Sequence, residues 1–210
     1  MKLLIVKNKK EVAKKAFEII AKQIKKKPNS VLGLATGKTM IPLYKELVKS
    51  KVDFSKVKTF NLDDYSNKKY QKYMDKHLFN KINIPRKNIN FPTSSNVSKY
   101  DFLIKKAKGI DLQILGIGKN SHIAFNEPGS SFKSKTRKVN IKGKTAYSVG
   151  ISTIMKSRKI ILLAFGKEKA NAIFNTLKGK ISEKVPASVL RKHKDVIVVV
   201  DGKVGSKLAR

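Results

Sequence analysis

Apolar runs alternate along the chain with segments whose apolar residues recur at helical spacing. Six runs are typical of strands covered on both faces of a parallel sheet, because polar residues hardly interrupt them. These predicted strands are LLIV (3–6), VLGLA (31–35), VKTFNL (57–62), LQILGIG (112–118), IILLAFG (160–166) and VIVVV (196–200).

The segments between these runs show the period of amphipathic helices. One apolar face is formed by Val12, Ala13, Ala16, Phe17, Ile19, Ile20 and Ile24, a second by Ile41, Leu43, Tyr44 and Leu47, and a third by Ala170, Ala172, Ile173 and Leu177. Strands that alternate with helices predict an α/β fold with a mostly parallel sheet covered by helices on both faces. No repeat, low-complexity tract or linker is evident, so we expect residues 1–210 to form a single domain.

The charge is unusual, because 48 basic residues against 14 acidic ones give a net charge of +34. Such a charge ordinarily indicates a polyanionic partner. However, only five of the basic residues are arginines, the residue that base edges favour, and the lysines are spread over the whole chain. We therefore expect non-specific affinity for polyanions at low salt, and no specific nucleic-acid partner.

Further classes of protein are excluded or disfavoured by composition. The sequence has no cysteine, which excludes disulfides and thiolate metal sites. The first apolar run ends at Lys7, which makes it too short for a signal peptide or a membrane span. We expect a cytoplasmic protein that does not engage a membrane, either a monomer or a homo-oligomer.

The loop GLATGKT at 33–39 ends like a nucleotide-binding P-loop, but three residues instead of four separate its first glycine from Gly-Lys-Thr. A predicted strand precedes this loop and a predicted helix follows it. The free N–H groups at a helix N-terminus favour an anion, so we expect a phosphate other than that of ATP here. The expected phosphate-binding residues are Ala35, Thr36, Gly37, Lys38 and Thr39.

Two adjacent carboxylates, Asp63 and Asp64, follow the predicted strand in FNLDDY. Neighbouring carboxylates repel each other, which raises the pKa of one of them toward the strength of a useful general base. Aspartates also favour turns and helix N-caps, and the pair alone leaves that structural alternative open.

A third polar cluster, LGIGKNSHIAFNEPGSSF at 115–132, follows another predicted strand. It places Asn120, His122 and Glu127 in a tight, glycine-rimmed loop. Because a nearby carboxylate sets the tautomer and basicity of a histidine, this loop is a candidate catalytic segment.

These motifs, together with LATGKT, FGKEKA and VPASVLRKH, resemble the glucosamine-6-phosphate deaminase family, also called glucosamine-6-phosphate isomerase. The similarity runs in order from near the N-terminus to about Asp201. It implies a Rossmann-like sheet and conversion of glucosamine 6-phosphate and water to fructose 6-phosphate and ammonia, in amino-sugar catabolism. The implied reaction uses no cofactor and no metal.

The resemblance also implies roles for individual residues. Asp63 matches the general base that moves a proton between C2 and C1 of the opened sugar, and Asp64 matches its acidic neighbour at the substrate. His122 matches the histidine that assists ring opening, and Glu127 the carboxylate that holds and tunes it. Asn120 stands where the family often has aspartate; because an amide supplies no charge, we expect a less basic histidine.

At the phosphate end, the loop 35–39 and Lys169 match the family's anion-binding positions. The segment 132–152 is shorter than the family's mobile lid and lacks the block whose arginine clasps the phosphate. Lysine offers a point charge in place of a bidentate fork, so we expect weaker phosphate binding and a more open site. The candidates to replace the missing arginine are Arg137, Lys142 and Lys144, and Lys38 is expected to add a further cation.

Two alternatives stay open. A related sugar-phosphate isomerase or lactonase with altered substrate shares the GxGxxxH pattern, although lactonases normally lack the FNEPG that follows His122. A sugar-phosphate sensor without turnover is favoured by the short lid and the charge, and is opposed by the intact Asp63, His122 and Glu127.

Overall fold

The computed structural model of the protein describes residues 1–208. Its strands are β1 (Lys2–Val6), β2 (Val31–Leu34), β3 (Lys58–Asn61), β4 (Asp63–Tyr65), β5 (Ile89–Asn90), β6 (Leu112–Gly116), β7 (Arg137–Ile141), β8 (Lys144–Ser148), β9 (Lys159–Ala164) and β10 (Val196–Asp201). Seven of them form one sheet in the order β1, β10, β9, β6, β2, β3, β5, and all neighbouring pairs are parallel.

The α-helices are α1 (Lys9–Lys26), α2 (Ile41–Lys49), α3 (Lys69–His77), α4 (Tyr100–Lys106), α5 (Ile151–Ile154), α6 (Ala170–Lys178) and α7 (Gly202–Gly205). Short 3₁₀ turns occur at Lys38–Met40, Phe79–Lys81, Arg86–Asn88, Lys167–Lys169 and Pro186–Lys192. Within residues 1–208, no helix has both the length and the apolar character that a bilayer crossing requires.

All six strands predicted from apolar runs are present, and the predicted α/β class is confirmed. In β2 every residue is buried, and β6 is buried from Leu112 to Leu115. Successive residues of a strand point to opposite faces, so this continuous burial shows that both faces of the sheet are covered. The buried apolar side chains of the helices and strands form one large core cluster.

A second sheet was not predicted from the sequence. It contains three antiparallel strands in the order β4, β8, β7, and it begins directly at Asp63. The strands β7 and β8 are joined by Lys142 and Gly143, which both have positive φ, as a type I′ hairpin turn requires. The shortened segment that was expected to replace a lid is therefore a hairpin paired to the strand that carries both aspartates.

Candidate active site

A cavity of about 840 Å³ opens at one edge of the parallel sheet. Its walls come from the segments that follow β2, β3, β6 and β9. The carboxyl ends of these strands meet at the same edge, which is where ligands bind in open α/β sheets. Three polar clusters that are far apart in the sequence are thereby brought into one site.

Asp63 lies on the cavity wall and is 6% exposed. Its Oδ1 is buried and has no hydrogen-bond partner among the described residues. Burial, with a further contribution from the charge of Asp64, raises the pKa of Asp63 to about 8. The carboxyl group is thus poised to exchange a proton near neutral pH, as a general base must.

Asp64, although adjacent, has a different environment. Its carboxylate accepts the backbone N–H groups of Tyr65 at 2.7 Å, Tyr70 at 2.7 Å and Gln71 at 3.1 Å. Burial raises the pKa of Asp64, and these hydrogen bonds oppose that rise. Asp64 accepts N–H groups of the first turn of α3 and is not among the residues that line the cavity, and its predicted contact with substrate stays a prediction.

The ring of His122 lines the cavity, and its Nδ1 lies 3.0 Å from Oε1 of Glu127. The ring rests against Gly118, where an added Cβ would lie 2.4 Å from ring atoms. Burial lowers the pKa of His122, the nearby Lys169 cation lowers it further, and Glu127 raises it. A half-buried imidazole with a carboxylate at one nitrogen can transfer a proton through the other.

Asn120 acts on Glu127 and does not itself line the cavity. Its Nδ2 donates to Glu127 Oε2 at 2.6 Å, and its Oδ1 accepts the His122 backbone N–H at 3.3 Å. One carboxylate oxygen of Glu127 thus accepts a hydrogen bond from Asn120, and the other lies 3.0 Å from His122 Nδ1, close enough for an ion pair but without hydrogen-bond geometry. The pKa of His122 is lowered mainly by burial, and Asn120 is not among the causes, so the predicted effect of an amide at position 120 stays a prediction.

The expected phosphate loop forms the opposite part of the wall, from Ala35 to Thr39. Tyr44 donates its hydroxyl hydrogen to the carbonyl of Ala35, and Tyr73 donates to the carbonyl of Gly37 at 3.1 Å. These bonds anchor the loop from behind. The hydroxyl oxygen of Thr36 is buried and has no hydrogen-bond partner among residues 1–208. Buried polar atoms are normally hydrogen-bonded, so this hydroxyl is available to a ligand.

Three lysines also line the cavity: Lys38, Lys119 and Lys169. Lys169 donates from Nζ to the carbonyl of Ile117 at 2.7 Å, and burial lowers its pKa. Sequence reasoning singled out Lys38 and Lys169 and missed Lys119, although Lys119 lies within the glycine-rimmed catalytic loop. It also missed the aromatic wall residues Tyr70 and Phe125.

The three residues proposed to replace the missing arginine do not line the cavity. Arg137 donates from Nη1 to Asn126 Oδ1 at 2.9 Å, because β7 holds it beside the loop that carries Glu127. Lys142 and Lys144 are exposed at the hairpin turn. Positive charge at the cavity comes instead from the three lysines described above.

A metal site is not evident: among residues 1–208, no cluster of three or more His, Asp or Glu side chains is arranged to hold an ion.

Residues 7–199 match the model of the family described as glucosamine-6-phosphate isomerases/6-phosphogluconolactonase. The chain belongs to this family. The chain is 45% identical to a protein of Clostridium botulinum type A strain Hall named glucosamine-6-phosphate deaminase, with 99% of each chain covered. A second, from Clostridium novyi strain NT, is 46% identical and covers 99% of this chain and 100% of its own.

Solved structures of the family show the same fold. A structure described as a monomeric glucosamine-6-phosphate deaminase has a TM-score of 0.94 and 35% identity, with 99% of this chain and 100% of that chain covered. A 6-phosphogluconolactonase from Thermotoga maritima has a TM-score of 0.81 at 23% identity, covering 95% and 98% of the two chains, and shares the fold.

The family members from Clostridium differ from this chain in length. Each alignment spans 241 positions, whereas this chain has 210 residues, so these relatives contain segments that the chain lacks. This difference in length agrees with the inference from the sequence motifs that the segment 132–152 is shorter than in the family.

Proposed function

We propose that the protein converts glucosamine 6-phosphate and water to fructose 6-phosphate and ammonia. The observation that carries the proposal is one cavity walled by a buried carboxyl, by a histidine paired to a carboxylate and by an anion-binding loop. Full-length relatives at 45% and 46% identity, all of them named glucosamine-6-phosphate deaminase, support it.

The chemistry begins with ring opening. The substrate is a cyclic hemiacetal, so opening moves a proton from the hydroxyl on C1 to the ring oxygen. His122 is placed to carry that proton, because Glu127 at Nδ1 fixes the ring and stabilises its protonated form. Asn120 assists by holding Glu127.

Isomerisation and deamination follow on the open chain. The carboxylate of Asp63 takes the proton from C2, which is acidified by the neighbouring aldehyde, and returns it to C1, while a proton of the C2 ammonium group passes to the oxygen on C1. The resulting C2 iminium is attacked by water, and ammonia leaves to give the ketone. A base whose pKa is about 8 is suited both to accepting the proton from C2 and to delivering it to C1.

The phosphate is proposed to bind the loop from Ala35 to Thr39 and Lys169, all of which line the cavity. Fixing this distant end positions C1 and C2 against the acid and base groups. Lys38 and Lys119 supply further charge in place of a bidentate arginine. We accordingly propose a Michaelis constant above those of relatives that retain the arginine.

The experiment is to incubate the purified protein with glucosamine 6-phosphate and, separately, with 6-phosphogluconolactone. Stoichiometric release of fructose 6-phosphate and ammonia from the amino sugar is expected. Hydrolysis of the lactone alone would establish the lactonase alternative. Saturable binding of the amino sugar phosphate with no product would establish the sensor.

We also propose that the protein is a cytoplasmic monomer made of one domain. The structural relative described as monomeric supports the assembly state, because the similarity covers 99% of this chain. A charged sugar phosphate does not cross a membrane unaided, which favours a cytoplasmic enzyme. Light scattering during size-exclusion chromatography distinguishes a 23.6 kDa monomer from a dimer.

A further inference from the structure

A second cavity, of about 640 Å³, lies on another part of the molecule. Its walls come from α4, from the residues that precede β6, and from the turn between α5 and β9. It therefore lies at the amino ends of β6 and β9, whereas the candidate active site lies at the carboxyl ends. The two cavities have no lining residue in common.

The electrostatic character of this second cavity is strongly positive. Its lining contains four lysines and one carboxylate. The lysines are Lys105, Lys108, Lys135 and Lys156. Several ammonium groups around one concave surface favour a multiply charged anion such as a phosphate ester.

The carboxylate, Asp101, is already engaged. Its oxygens accept the Thr136 hydroxyl at 2.5 Å, the Thr136 backbone N–H at 3.2 Å and the Thr153 hydroxyl at 3.0 Å. These donors compensate the charge of Asp101 and hold α4, α5 and the start of β7 together. The cavity wall is thus fixed before any ligand arrives, which reduces the entropy lost on binding.

An apolar surface lies beside the lysines. Phe102 is 62% exposed, although large apolar side chains are usually withdrawn from water, and the buried Ile104 and Ile110 line the same cavity. Ser157 is 5% exposed, and its hydroxyl has no hydrogen-bond partner among residues 1–208. An exposed phenyl ring beside cationic groups is suited to a flat ring stacked on its face.

We propose that this cavity binds a mononucleotide, with the base stacked on Phe102 and the phosphate among the lysines. The volume is in the range of small-molecule sites, roughly 300–1,000 Å³. An inorganic phosphate would leave the apolar wall unused, and a nucleoside would leave the lysines unused.

Equilibrium dialysis with adenosine 5′-monophosphate tests the proposal, with ribose 5-phosphate and adenosine as matched probes that each lack one half. We expect one saturable site for the mononucleotide and at least about tenfold weaker binding of each fragment. Saturating glucosamine 6-phosphate should not displace the mononucleotide. Equal binding of ribose 5-phosphate, or displacement by the amino sugar phosphate, would overturn the proposal.

Variants locate the site. Phe102→Ala should weaken mononucleotide binding about tenfold, and the pair Lys105→Gln and Lys156→Gln should weaken it by a similar factor. The matched control removes the same charge from the exposed face of α1, with Lys14→Gln and Lys22→Gln, and should leave binding unchanged. An equal loss in the control would attribute binding to overall charge and contradict the proposal. Binding is measured without turnover, so its outcome is independent of the deaminase assay.

Discussion

The two ends of the active-site cavity are built differently. At the proposed acid and base end, Asp63 is buried, and Glu127 accepts a hydrogen bond from Asn120 and lies 3.0 Å from His122 Nδ1, so each group has a defined environment. At the proposed anion end, the loop 35–39 and the lysines of the cavity wall are proposed to bind one phosphate together, and Lys38 and Lys119 are exposed. A substitution at the first end should therefore abolish a catalytic role and lower kcat. A substitution at the second end should remove one of several positive charges and weaken substrate binding only in part.

The largest expected effect is that of Asp63→Asn. The amide keeps the shape of the carboxyl and cannot take the C2 proton, so kcat should fall by about 10³-fold while sugar-phosphate binding persists. Coupled assay of fructose 6-phosphate and ammonia checks the rate, and calorimetry checks the binding.

The neighbouring variant Asp64→Asn is the control for this position. Asp64 accepts three backbone N–H groups, so its loss should lower the free energy of unfolding by about 1 kcal/mol or more and affect kcat less than Asp63→Asn. If Asp64→Asn abolished turnover and Asp63→Asn did not, the assignment of the base would be reversed.

Removing the charge beside the histidine should have the next largest effect. Glu127→Gln retains a hydrogen-bonding side chain but withdraws the carboxylate that raises the pKa of His122. We expect kcat to fall by roughly 10- to 100-fold, and the pH profile's limb for the histidine to move to lower pH. An unchanged profile would mean that Glu127 does not tune the ring.

At the anion end, Lys169→Gln should raise the Michaelis constant about tenfold and change kcat little, since it removes a charge that binds substrate and transition state alike. Lys38→Gln should raise it only about two- to fourfold, because that lysine is exposed. Lys142→Gln, at the hairpin turn, is the matched control and should have no effect. If the three substitutions raised the Michaelis constant equally, the overall positive charge of the protein would attract the substrate, and there would be no localised phosphate site at these lysines.

The raised pKa of Asp63 should also make the stability of the protein depend on pH in the absence of substrate. Its pKa is raised to about 8 in the folded protein, above the unfolded value near 3.8, so the folded state retains a proton that the unfolded state loses. Stability contributed by this proton is present at low pH and declines as pH rises from about 4 to 8. Asp63→Asn should thus be more stable than the wild type at pH 8, by on the order of a few kcal/mol, and similar at pH 4. Urea unfolding at both pH values measures this; an equal difference at both would contradict the shifted pKa.

The sequence predicted the parallel sheet well because uninterrupted apolar runs such as VIVVV have few alternatives to a buried strand. It also placed Asp63 and His122 shortly after predicted strands, and both residues line the cavity at the carboxyl ends of those strands. The second sheet was missed because neither β7 (RKVNI) nor β8 (KTAYS) contains an uninterrupted apolar run, and only the Lys142–Gly143 turn indicates the hairpin.

Residue roles that depend on tertiary contacts could not be predicted from the sequence. Asp64 and Asp63 are adjacent and identical, and only the position of the α3 amides distinguishes the carboxylate that accepts them from the proposed base. Lys119 is one of many lysines, so no pattern distinguishes it from the solvated ones. Arg137 was favoured for its chemistry, but the register of β7 turns it toward Asn126.

The pKa of Asp63 is the quantity on which the account depends most directly. Carbon-13 NMR of protein labelled at the aspartate carboxyl carbons, with Asp63→Asn to assign the resonance, measures it without substrate. The account predicts one carboxyl that titrates at about pH 8 and is absent from the variant. Titration of the Asp63 resonance near pH 4 would show that this carboxyl is an ordinary solvated acid, and would contradict its role as the buried base.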